Sequence, residues 1–196
     1  QIEIDLMEKL YFEAYRLGEV CNNITSAEPV MRDADIVTID LRCIKSSELS
    51  SRQKLSPNGF DGKEICSISR YAGISNKVSS FGIFEYRSSN EDEITEMLIA
   101  QILWYFIEGV NCRIIDDDFT NIASFQKFTV VVDKYELIFY KSIKTARWWI
   151  EIPNSSENNN KLKEHSLLPC THDDYQNAND GIIPERWYKA HKKNII

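Results

Sequence analysis

The spacing of apolar and polar positions changes character partway along this chain. Within residues 3–12, Ile4, Leu6, Met7 and Leu10 fall on one helical face. A second helix is expected over Glu19–Ile24, with Pro29 opening a further short turn after Glu28. The β-branched run from Asp35 to Leu41 reads as a strand buried on both faces, as in a parallel sheet. Lys45–Asn58 is rich in serine and closes on Pro57-Asn58-Gly59, which marks a loop. Asp61 is placed to cap a helix over Gly62–Tyr71 that Gly73 ends, and Lys77–Tyr86 supplies the next strand. Ser88–Asp92 offers caps and carboxylates before a helix over Glu93–Glu108, with Gly109 beyond it. That helix is apolar nearly all round, so both of its sides are expected to be covered.

After Asp118 the pattern becomes that of hairpins. Phe128–Val132, Tyr135–Tyr140 and Arg147–Ile152 read as antiparallel strands, the first two joined at Asp133-Lys134. Asn154–Asn160 is a polar loop, Thr171 caps a short helix carrying Asp173 and Asp174 in its first turn, and Pro184 starts a last helix over Glu185–Lys192. Strand–loop–helix–strand–helix is an α/β order with right-handed parallel crossovers. The expected division is residues 1–118 as an α/β part and 119–196 as an antiparallel and helical extension packed on the same domain.

Composition narrows the function classes. The 196 residues fit one domain, and 43% hydrophobic content is ample for a core. A net charge of −7 argues against nucleic-acid and anionic-membrane partners, which reward a basic surface. Met97–Ile107 is too short to span a bilayer. The opening Gln-Ile-Glu-Ile-Asp has no basic segment, so no signal peptide is expected, and a first residue other than Met points to a start further upstream. Five scattered cysteines without a CxxC pair read as reduced thiols in the cytoplasm, not as a zinc site.

Ligands of open α/β sheets gather beyond the carboxyl ends of the strands. Asp40 and Glu85 stand at two such ends, where parallel strands would set both carboxylates on one rim as oxygen ligands for a cation. Each also reads as an ordinary residue at a strand terminus.

Three segments carry a resemblance. Thr38-Ile-Asp40-Leu-Arg42-Cys-Ile-Lys45 resembles the Ser-x-Asp-x-Asp-x-x-Asp-Pro motif of the arginase/agmatinase/formimidoylglutamase (ureohydrolase) family. Asn58-Gly-Phe-Asp-Gly-Lys-Glu64 is similar to that family's Gly-Gly-Leu-Thr-x-x-Glu segment, and Phe81-Gly-Ile-Phe-Glu85-Tyr86 to its strand ending in Glu-x-Asn-Pro. The resemblance covers about residues 10–110. It implies a divergent bacterial branch, with a three-layer arginase-like parallel sheet represented by its C-terminal half. It also implies manganese-dependent hydrolysis of a guanidino or amidino C–N bond, Asp40 as a metal ligand, Glu85 as the acid that contacts substrate, and assembly into a homo-oligomer.

The departures are equally specific. Arg42 and Lys45 stand where the motif has its second and third aspartates, and Ser46 replaces its proline. Tyr86-Arg87-Ser88 stands in place of x-Asn-Pro. The family's Gly-Gly-Asp-His and Asp-Ala-His-x-Asp segments do not occur; His165, His172 and His191 are all in the tail. A guanidinium or ammonium has no lone pair for a metal. The expectation is therefore that Arg42, Lys45 or another base neutralises Asp40. Asp40 and Arg42 would share a face if the strand persists that far. Two functions follow: a divergent amidino or guanidino hydrolase whose missing ligands lie upstream, or a non-catalytic relative serving as a binding or structural module; in either, the remainder of the sheet comes from upstream sequence or another chain.

Smaller signals have simpler explanations beside them. Cys170-Thr-His172-Asp173-Asp174 mixes metal-ligand types but also reads as a helix cap. Lys141, Lys144, Arg147, Trp148 and Trp149 interleave bases and aromatics as a single-strand stacking surface would, or as a strand with tryptophans on the core. Asp116-Asp117-Asp118 reads as a solvated turn, and Cys43 beside Asp40 as a weak candidate thiol.

Overall fold

A computed structural model describes residues 6–7, 9–49, 56–86, 93–116, 121–153 and 166–193. The cap segment Ser88–Asp92, the loop Asn154–Asn160, Asp117, Asp118 and His165 lie outside them. The chain divides into two compact units, one spanning Arg16–Ile115 and the other Gln1–Tyr15 with Asp116–Ile196. Each contains α and β structure, with a parallel sheet in the first and an antiparallel sheet in the second.

In the Arg16–Ile115 unit, α1 (Leu17–Asn22) and α2 (Ala27–Asp33) precede β1 (Ile36–Asp40), α3 (Gly62–Ile74), β2 (Ser80–Phe84) and α4 (Glu93–Asn111). Pro29 falls inside α2 instead of opening it. Its missing N–H costs nothing there, because the first-turn N–H groups have no intrahelical partner. β1 and β2 pair in parallel, with Ile36 opposite Ser80 and Asp40 opposite Phe84. The expected burial of β1 on both faces is not what forms. Val37 and Ile39 are buried against α3 and α4, whereas Ile36 on the other face is 65% exposed.

Asp61 caps α3 in a reciprocal box: its carboxylate accepts from Glu64 N, and Glu64 accepts from Asp61 N, both at 2.8 Å. Gly73 and Gly109, each expected to stop a helix, both lie inside one. They meet where α3 and α4 cross: a Cβ on Gly109 would stand 2.6 Å from the Arg70 carbonyl oxygen, and one on Gly73 would strike the Phe106 carbonyl. Beneath this crossing Ile65, Cys66, Leu98 and Ile102 join Ile39, Leu41 and Ile44 in the core. Each such aliphatic side chain contributes about 1.5–3 kcal/mol on burial. Only one side of α4 is used, contrary to the expected double cover, since Met97, Trp104 and Ile107 are more than half exposed.

The second unit is an antiparallel meander, β3 (Phe125–Val132), β4 (Tyr135–Ser142), β5 (Trp148–Ile152) and β6 (Ser166–Cys170), followed by α5 (His172–Asn179) and α6 (Glu185–Lys193). Asp133 takes a positive φ of 54° at the β3–β4 turn. β6 was not expected, and its Pro169 is tolerated because β6 is an edge strand. Trp187 of α6 is 1% exposed among Leu137, Phe139, Ile150 and Ile152, and its Nε1 donates to Glu151 O at 2.8 Å. Arg186 Nε donates to Glu13 at 2.9 Å, which ties the N-terminal segment to this unit. Leu6 and Leu10 of that segment are more than half exposed, so the helical face read there is not a buried one.

Candidate functional site

The site is the carboxyl rim of the β1–β2 pair. β1 stops at Asp40, which caps a 3-10 turn over Leu41–Cys43, and its Oδ1 accepts from Arg42 N at 2.9 Å. The turn brings the Arg42 side chain back over the carboxylate. Its Nε donates to both oxygens at 3.0 Å, and its Nη2 donates to Oδ2. The pairing therefore arises from the turn and not from two residues sharing one strand face. Lys45 points elsewhere, its Nζ 3.9 Å from Asp61.

The segment Asn58–Phe60 lies alongside. Phe60 N donates to Cys43 O at 2.8 Å and Lys45 N to Phe60 O at 2.9 Å, a parallel bridge next to the turn. Gly59 is required there, because a Cβ would come 2.5 Å from the Cys43 carbonyl oxygen. On the other side Glu85 leaves β2 with a positive φ of 65°, a backbone state that costs a non-glycine residue about 1–3 kcal/mol. The fold thus brings the segments around Asp40, Gly59 and Glu85 together on one rim.

The electrostatics follow from this geometry. Hydrogen bonds from Arg42 hold the Asp40 carboxyl below the usual carboxylate range against a smaller opposing effect of burial. Arg42 is held more firmly protonated, first by its hydrogen bond to Asp40 and also by the charges of Asp40 and Glu85. Cys43 is pushed up to about 11, chiefly by burial, which leaves it a thiol at neutral pH and a poor nucleophile.

The Asp40 donor set does not fit a metal ion. Its two oxygens already accept four N–H contacts from Arg42, and the guanidinium adds a positive charge where a dication would have to sit. Among the described residues no three His, Cys, Asp or Glu side chains converge as metal ligands.

The other candidates resolve as structure. Thr171 caps α5, and Asp174 closes the reciprocal box at 2.7 and 3.0 Å. Trp148 and Trp149 are buried, so the strand with tryptophans on the core is the one that forms. Asp116 is not a solvated turn residue. It accepts from Thr145 Oγ1 at 2.6 Å and pairs with Arg147 at 3.3 Å, both side chains largely buried. No sequence signal marked that pair, whose members are far apart in the chain. No helix among the described residues is long and apolar enough to cross a membrane. No family model matches the chain, and no curated protein matches it closely enough to count as a relative.

Proposed function

We propose that this chain is a ureohydrolase-like module that has left manganese chemistry and serves a non-catalytic binding or structural role. The observation that carries this reading is the Arg42 fork closed on Asp40, the single carboxylate that the resemblance would make a metal ligand. In this reading β1 and β2 are two strands of a larger three-layer parallel sheet. Further strands come from upstream sequence or another chain, within a homo-oligomer in the cytoplasm. A guanidinium kept protonated beside the carboxylate replaces the cation with a tethered one, which satisfies the rim's charge without any ligand.

One observation favours a second reading, a divergent hydrolase of guanidino or amidino compounds. Glu85 carries an unusual backbone at the rim, as residues held for substrate contact often do. Elemental analysis of the full-length protein after saturation with manganese separates the two. The expected outcome is no bound manganese above a blank. About two ions per chain, as a dinuclear site requires, would overturn the proposal and direct attention to guanidino substrates with Glu85 as their anchor.

A further inference from the structure

The helix α4 spends one face on the core and leaves a second apolar face outside. Met97, Ala100, Trp104 and Ile107 recur at intervals of three, four and three residues, the a/d spacing by which one helix receives another. Met97 is 62%, Trp104 60% and Ile107 56% exposed, with Ile94 and Leu103 exposed on the flanks. Together these side chains offer on the order of 600 Å² of apolar surface, the upper end for the largest patch of a monomer and most of one side of a standard interface. A cavity of about 510 Å³, lined in part by Glu48, Lys63, Ile94, Met97 and Leu98, opens beside the seam at its N-terminal end.

Charge decides the occupant. From Glu93 to Asn111 the helix has three glutamates and no Lys, Arg or His. Glu108 is already paired with Arg70, so the bias rests on Glu93 and Glu96 at the end of the seam nearer the cavity. A second copy laid on the same face brings no basic residue of this helix to Glu93 and Glu96 in either direction, and in the parallel one it opposes glutamate with glutamate. We infer that the outer face of α4 is a docking seam for an amphipathic helix of another protein, with an apolar stripe at the same spacing and Lys or Arg at its flanks. The cavity takes one anchoring side chain of that helix. This inference stands apart from the reading of the β1–β2 rim.

Trp104 makes the test direct, because the other three tryptophans, Trp148, Trp149 and Trp187, are buried. Acrylamide quenching and emission of the chain are followed while a Leu/Lys amphipathic helical peptide is added. A Leu/Glu peptide of equal length and a Met97→Gln/Ile107→Gln variant serve as comparisons. The Leu/Lys peptide is expected to shift Trp104 emission to the blue and to protect it from acrylamide. The double variant, with unchanged circular dichroism, should bind at least about tenfold more weakly, as loss of two of the large apolar seam contacts implies. Equal binding of the Leu/Glu peptide, no binding of either, or full affinity in the variant would each overturn the inference. So would a dimer of the free chain in sedimentation that the variant disperses, since that makes a second copy the occupant.

Discussion

Asp40 and Arg42 are two residues apart, and the 3-10 turn that Asp40 caps folds one back on the other. A strand continuing through Arg42 and a turn starting at Leu41 both keep the pair within reach, and only the second lets the backbone N–H and the guanidinium serve one carboxylate. Replacing Arg42 by Ala removes the guanidinium donors and leaves the backbone N–H on the Asp40 carboxyl, so its titration midpoint should rise toward the ordinary value of about 3.9. Carboxyl-carbon NMR of the parent and the R42A variant reads this directly. The sign for stability follows. A depressed folded-state pKa contributes stability that is complete above the unfolded value and lost as pH falls through the folded one. The variant should therefore lose less stability than the parent on acidification across that window, and an unchanged midpoint would refute the pairing. The Asp116–Arg147 pair lay beyond sequence reading because nothing local sets a contact between residues on separate segments.

Among the elements, the helices and hairpins were legible where period and capping agreed, as at the Asp61 box and the Thr171 cap. They were misread where one residue type has two uses. Gly73 and Gly109 look like helix stops in sequence, yet each serves close approach of two backbones. Gly109→Ala therefore pits a helix-propensity gain of up to ~1 kcal/mol against overpacking of about 1–3 kcal/mol. With 2.6 Å to a backbone oxygen the clash should win, for a net loss of about 1–2 kcal/mol in urea unfolding. Gly18→Ala in α1, where nothing lies within 4 Å of the new methyl, should instead raise stability by about 0.5 kcal/mol. Equal effects at the two sites would remove the crossing argument. Pro169 hid β6 for a related reason, since proline argues against a central strand and says nothing against an edge.

For the whole molecule, the mixed α/β character was readable from periodicity. The grouping of residues was not, because it depends on contacts such as Glu13 with Arg186, which no local pattern encodes. Trp187 is the anchor of the second unit, so Trp187→Ala should cost about 3–5 kcal/mol there. Hydrogen exchange should show lost protection in β3–β6 while α3 and α4 keep theirs, as separate cooperative units allow. Uniform loss across both would mean that the chain unfolds as one body.

The Glu13–Arg186 contact spans 173 positions, with the entire Arg16–Ile115 unit between its partners. On the ribosome, at about 5–20 residues per second, the segment around Glu13 therefore waits roughly ten to thirty seconds for the helix that receives it. The inserted unit is fully synthesised well before then. Order of emergence thus sets order of folding: the Arg16–Ile115 unit closes first, and the segment around Glu13, although made before it, finds its place only afterwards.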